Sequence, residues 1–183
     1  MNTTEGWIPG TLTDVTERFF GVDFADAFVA IATEINDLKS EIAYIRDPDY
    51  HDPVDSHGGQ CTWHSLTGFD DHIPFGMAKW EPSPGCLLIH NHPSKLPPSR
   101  SDVEFLFWKP GSRIVVLGDL PYHLARSGKV ITTADLAIAM RRVHLSAIAR
   151  LHEYAFERET AYAFAWWHTF KESASELGVI MFD

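Results

Sequence analysis

The stretch Cys86-Leu87-Leu88-Ile89-His90-Asn91-His92-Pro93 constrains this chain more than any other. Leu87 to Ile89 is a short apolar run of the kind that forms a buried strand, and residues two apart on a strand share a face. His90 and His92 therefore point the same way. Pro93 has no amide donor and cannot extend a sheet ladder, so the strand is expected to end where the imidazoles are presented. Pro97 and Pro98 bias their predecessors toward extended geometry and turn the chain. Ser99-Arg100-Ser101-Asp102 then reads as a helix start with Asp102 in its first turn. Two imidazoles and one carboxylate leave a fourth tetrahedral position for water, as in a catalytic rather than a structural zinc site. An ion held there would make that water a usable nucleophile near neutral pH. The expected ligands are His90, His92 and Asp102, and the expected ion is Zn2+. Ser99-x-x-Asp102 is equally the pattern of a helix capping box, whose two side chains serve backbone donors, so a structural role for this pair stays open.

His90-Asn91-His92-Pro93-Ser94, the proline loop and Ser99-Arg100-Ser101-Asp102 resemble the zinc motif of the JAB/MPN metalloprotease family, also called JAMM. The wording is closest to prokaryotic members, the RadC-like group among them, although the loop between His92 and Ser99 is one residue shorter than in the family. The resemblance implies an α/β fold over roughly residues 20–132, a mixed β-sheet sandwiched by helices. It implies a zinc metallopeptidase or isopeptidase, deubiquitinase-like, with a ubiquitin-like protein or its conjugate as substrate and the bond after the tail as the point of cleavage. It also implies a glutamate at the start of a strand that follows a helix, acting as general base. Glu41 stands at that position, with Tyr44 where the family has glycine, and Glu34 and Glu81 are the alternatives. A role for Ser99 as donor to the developing oxyanion is likewise carried over from the family. Two other readings stand beside this one: a catalytically inactive JAB-fold binding protein, and a RadC-like DNA-associated, metal-dependent factor.

Composition bears on these choices. A net charge of −10 counts against nucleic acid as a partner. With 45% hydrophobic and 13% aromatic residues, the 183-residue chain suits a packed globule rather than a disordered tail. Cys61 and Cys86 are too few for a disulfide framework or a cysteine zinc cluster. No apolar stretch is long enough for a bilayer, and Met1 to Glu5 shows no basic start before an apolar core. The cytoplasm is the expected compartment, without a membrane partner.

The remaining chain yields a coarse order of elements. Residues 1–22 read as a short strand or hairpin, and Asp23 to Leu38 as an amphipathic helix. Glu41 to Ile45 is expected to be a strand. Arg46 to Gln60 reads as an acidic loop, and Cys61 to Thr67 and Pro74 to Trp80 as further strands. A short helix beyond Asp102 is expected to stop at Lys109-Pro110-Gly111, and Ile114 to Leu117 is a continuous apolar run suited to the middle of a sheet. Tyr122-His123 reads as surface and Val130-Ile131 as a last short strand. Residues 1–132 thus form the expected JAB/MPN-like domain, and residues 133–183 a C-terminal helical extension packed on it. From Thr133 to Leu177 there is neither glycine nor proline, and two helices meeting near Glu157 to Thr160 are expected. For their aromatic run, Ala161 to Phe170, two readings stay open: burial against the domain, and a homodimer or partner surface.

Overall fold

The structure is a computed structural model that describes residues 22–47, 63–68, 83–108 and 110–182. The expectations for residues 1–21, for most of the acidic loop, for the Pro74 to Trp80 strand and for Glu81 lie outside these residues. The described chain is a mixed α/β structure with one six-stranded sheet. Helix α1 (Val22–Ile35) leads into strand β1 (Ile42–Arg46), followed by β2 (Trp63–Thr67) and β3 (Leu87–Asn91). Helix α2 (Arg100–Trp108) carries the chain to β4 (Arg113–Leu117), which turns back as β5 (Pro121–Arg126). Helices α3 (Thr133–Ala149) and α4 (Arg158–Ser173) follow, and β6 (Val179–Phe182) closes the order. Strands lie in the sequence β2-β1-β3-β4-β5-β6. Only β3 and β4 pair in parallel, as a crossover through α2 requires, and the other neighbours are antiparallel.

The alternation of side chains along the strands sorts the core into two layers. Leu87, Ile89, Val115 and Leu117 meet Phe28, Ile31, Ala32 and Ile35 of α1 on one face. Ala43, Ile45, Leu88, Ile114 and Val116 face the other way, against residues of α2, α3 and α4. Both faces of β3 and β4 are covered, which explains why Leu87 to Ile89 and Ile114 to Leu117 are continuous apolar runs rather than alternating ones. His90 shares the parity of Leu88, and Asn91 that of Ile89, so the two adjacent residues end up in different layers.

Sheet and core run across the expected boundary at residue 132. Trp166, Trp167 and Phe170 of α4 are buried in the same cluster as Leu88 and Val116, and the rings of Trp166 and Phe170 stack at 5.3 Å. Burial therefore accounts for these three aromatics, whereas Phe156, ahead of α4, is 57% exposed. The C-terminal segment is not helical throughout: β6 pairs with β5 through Leu124↔Met181 and Ala125↔Ile180. Tyr122 and His123, expected at the surface, lie on β5, and His123 is buried against Phe28 with ring centroids 5.8 Å apart. The expected strand at Val130-Ile131 is instead an irregular connection with Val130 exposed. Thr132 caps α3 as its sequence suggests, its side chain accepting from the Asp135 amide. Among the described residues no helix is long and apolar enough to cross a membrane.

Candidate metal centre

His90 is the fourth residue of β3, and His92 follows the strand's last residue, Asn91. His92 still donates its amide to the Leu117 carbonyl at 2.8 Å, which keeps it in register with β4. The two rings lie nearly parallel, 22° apart, with Nε2 atoms separated by 3.2 Å. Asp102, on the first turn of α2, brings Oδ1 to 3.1 Å from His90 Nε2 and Oδ2 to 3.3 Å from His92 Nε2. All three side chains are buried. A tetrahedral zinc with metal-nitrogen bonds of 2.0–2.1 Å sets its ligand atoms about 3.3 Å apart, and the observed spacing meets that requirement. The three residues form a group that can hold a metal ion.

The two readings of Ser99 and Asp102 hold together in one geometry. Asp102 accepts the Ser99 amide on Oδ2 at 2.6 Å, and the Asp102 amide donates to Ser99 Oγ at 3.3 Å, a reciprocal cap on α2. The cap fixes the carboxylate plane, leaving Oδ1 aimed at His90. Ser99 itself is exposed and sits on the wall of the adjoining cavity.

Electrostatics follow from burial and proximity. Burial alone would raise the Asp102 pKa, but the facing His90 and His92 outweigh it and hold the carboxyl well below its ordinary range. For His92, burial works to lower the pKa. The hydrogen bond and charge of Asp102, with help from Glu41 and the Leu96 carbonyl, overcome it and hold the imidazole up at about 9.

Glu41 reaches this site through strand pairing. The β1–β3 register sets Ala43 opposite His90, so two residues earlier Glu41 falls opposite His92 on the same face of the sheet. Its carboxylate is buried, with Oε1 3.9 Å from His92 Nε2, and its backbone carbonyl is held by the Gly68 amide at 2.8 Å. Glu34, the alternative base, is exposed on α1 and accepts the Tyr44 hydroxyl at 2.7 Å. It is not among the residues lining the cavity.

A cavity of about 820 Å³ opens from Glu41, His90, His92 and Asp102. Pro97, Pro98 and Ser99 form one side, Phe105 and Trp108 of α2 another, and Glu159, Tyr162 and Trp166 of α4 the third. Helix α4 therefore supplies a wall of the candidate site, which its sequence did not announce. A small molecule or an extended peptide segment would have both apolar surface and polar groups to meet here.

Several groups around the ligands carry no sequence signature. His92 Nδ1 is 3.0 Å from the Leu96 carbonyl, which can only accept, so the ring donates there and leaves Nε2 free to face the site. That carbonyl fits because residue 118 is glycine: a Cβ there would come within 2.4 Å of Leu96 O. Lys95, at φ 55°, anchors the same loop to the end of α1, where Nζ meets the Asn36 carbonyl, its Oδ1 at 2.9 Å and Asp37 Oδ1 at 3.3 Å. Gly118→Ala is expected to displace Leu96, free the His92 ring and lower metal affinity by roughly 10- to 100-fold. Competition with a chromophoric chelator measures this. Gly128→Ala serves as the control, since nothing lies within 4 Å of a Cβ at that position. Equal affinity in the two variants would dissociate the glycine from the site.

The fold and site together define a mixed α/β protein with a buried His-His-carboxylate group that lines a cavity and is able to hold a metal ion. No family model, curated protein or solved structure matches the chain.

Proposed function

We propose that this protein is a zinc-dependent peptidase or isopeptidase of JAB/MPN type that cleaves the bond following the tail of a ubiquitin-like protein. The observation that carries the reading is Glu41 beside three convergent ligand side chains: a buried carboxylate 3.9 Å from His92, outside the group His90, His92 and Asp102, lining the same cavity of about 820 Å³. The substrate class rests on the motif His90-Asn91-His92-Pro93 and Ser99-x-x-Asp102 and its resemblance to that family.

In this reading His90, His92 and Asp102 hold the ion. When bound, zinc supplies Lewis acidity toward the scissile carbonyl and makes a water acidic enough to serve as nucleophile. Glu41 accepts the proton of the attacking water and returns it to the leaving amine, a transfer that needs hydrogen-bond reach to both. Ser99 Oγ accepts from the Asp102 amide, which leaves its hydroxyl hydrogen to donate a hydrogen bond to the oxygen that gains charge. The apolar walls contributed by Phe105, Trp108 and Trp166 take the extended tail and keep bulk water from the reacting bond.

The test uses the full purified chain. Elemental analysis is expected to find one zinc per chain, and a ubiquitin-like fusion is expected to be cut after the tail, with loss of cutting on chelation and return on adding zinc. His90→Ala combined with His92→Ala removes both metal and cleavage, with folding checked by circular dichroism. Equal zinc in the variant and the parent would overturn the ligand assignment. One bound zinc without cleavage of any such fusion would overturn the peptidase reading in favour of a binding protein, and zinc-dependent cutting of DNA would replace it with a nuclease.

A further inference from the structure

Between the two imidazoles stands Asn91, fully buried and on the opposite face of β3 from His90. A buried amide is costly unless its donors and acceptor are met. Here Oδ1 accepts the Ile42 amide at 2.7 Å, while Nδ2 donates to the Leu38 carbonyl at 3.3 Å and the Ser40 carbonyl at 3.2 Å. Leu38 and Ser40 belong to the turn that joins α1 to β1, and Ile42 is the first residue of β1. They bracket Glu41 on both sides, at positions 40 and 42. The side chain thus performs for this turn what a ladder would do for a strand: it fixes the backbone of Glu41 to the strand that carries His90.

We infer that Asn91 is a positioning residue for Glu41, holding the 38–42 turn so that the Glu41 carboxylate reaches the space beside His92. Asn91 touches neither the ion site nor the cavity, which is lined from the other face of β3. The inference rests on the proton-transfer role proposed above for Glu41. Its distinguishing consequence is that metal binding and proton transfer come apart: with His90, His92 and Asp102 untouched, a variant at position 91 keeps the ion and loses the placement of Glu41. An Asn91 that served packing alone would lower stability without acting through Glu41.

Two variants keep the inference falsifiable. Asn91→Ala removes all three bonds. Asn91→Asp keeps the volume and the acceptor for the Ile42 amide but sets a carboxylate against the Leu38 and Ser40 carbonyls, which drives the turn away. Three readouts are taken on the full chain. Cobalt(II) loading is expected to stay at one ion per chain in both variants, with the visible bands of a four-coordinate site retained. Amide exchange at Ile42 is expected to accelerate in Asn91→Ala. Cleavage of the fusion is expected to fall by roughly 10- to 100-fold in either variant, and to fall no further when the same change is made in a Glu41→Gln background, because residues acting as one unit are not additive.

Full additivity with Glu41→Gln would overturn the inference, as would unchanged cleavage in a variant whose Ile42 amide has lost protection. Loss of cobalt in Asn91→Asp would overturn it too, by moving the residue's role to the ligands. If Glu41→Gln alone left cleavage intact, the reading of Glu41 as the proton carrier would fail first and take this inference with it. The two failures are therefore distinguishable.

Discussion

Glu41→Gln is expected to lower the rate of cleavage by roughly 100- to 10,000-fold, the range that a positioned proton carrier contributes, while zinc content stays at one per chain. Glutamine keeps the volume and the buried position of Glu41 but cannot take a proton at neutral pH. The strand register that sets residue 41 opposite His92 depends on backbone pairing between β1 and β3, and the substitution leaves that pairing alone. Its effect should accordingly fall on kcat rather than on KM. Glu34→Gln is the internal control, because Glu34 meets Tyr44 on the exposed side of α1 and should leave the rate within a factor of about two. Steady-state kinetics beside elemental analysis decides the matter. A Glu41→Gln protein that retains both zinc and its full rate would remove Glu41 from the chemistry.

What could be read from the sequence, and what could not, follows the range of the interactions. His90 and His92 share a face because of strand periodicity, and Pro93 ends the strand next to them; both are local facts. Asp102 was legible for the same reason, three residues after a capping serine. The choice between cap and ligand was false only because one carboxylate has two oxygens, with the cap on Oδ2 and Oδ1 turned to His90. Glu41 was different. Its place opposite His92 depends on pairing between segments about 50 residues apart, and nothing in the local pattern sets that register, so resemblance to a family was the only pointer to it. Asn91, Leu96 and Gly118 had no pointer at all. Backbone carbonyls are present at every residue, and a glycine required by a neighbour's approach looks like any other glycine until the neighbour is in place.

The same reasoning explains the misplaced elements. Tyr122-His123 lies between an apolar run and Gly128 with nothing local to mark it as buried, yet β6 pairs along β5 and α1 packs against His123. A four-residue strand such as Val179–Phe182 is too short for any period to be counted. On α3, by contrast, the stripe of Met140, Val143 and Ala147 is buried as its spacing indicates, because helix periodicity repeats often enough over 17 residues to be unmistakable.

Metal affinity is expected to rise about tenfold per pH unit from neutrality to about pH 9 and then to level off. The cause is competition for His92 Nε2. Asp102 and its neighbours hold the His92 imidazole protonated up to about 9, against an ordinary value of 6.5, and a cation requires the unprotonated ring. Each ion bound below pH 9 must displace that proton, so His92 contributes one released proton per ion and a gain of about 100-fold between pH 7 and pH 9. Stability of chelator-treated protein should run the other way. A folded-state pKa raised above the unfolded value contributes stability that is complete below pH 6.5 and is lost as pH climbs through about 9. Asp102, held below its ordinary value of 3.8, adds stability that is present above that value and is lost as pH falls through its lower folded-state pKa. The gap in Tm between zinc-loaded and chelator-treated protein should therefore widen from pH 7 to pH 9. Isothermal titration in two buffers of different ionisation enthalpy counts the released protons directly. An affinity that stays flat across this range would mean that the Asp102 carboxylate does not hold a proton on His92.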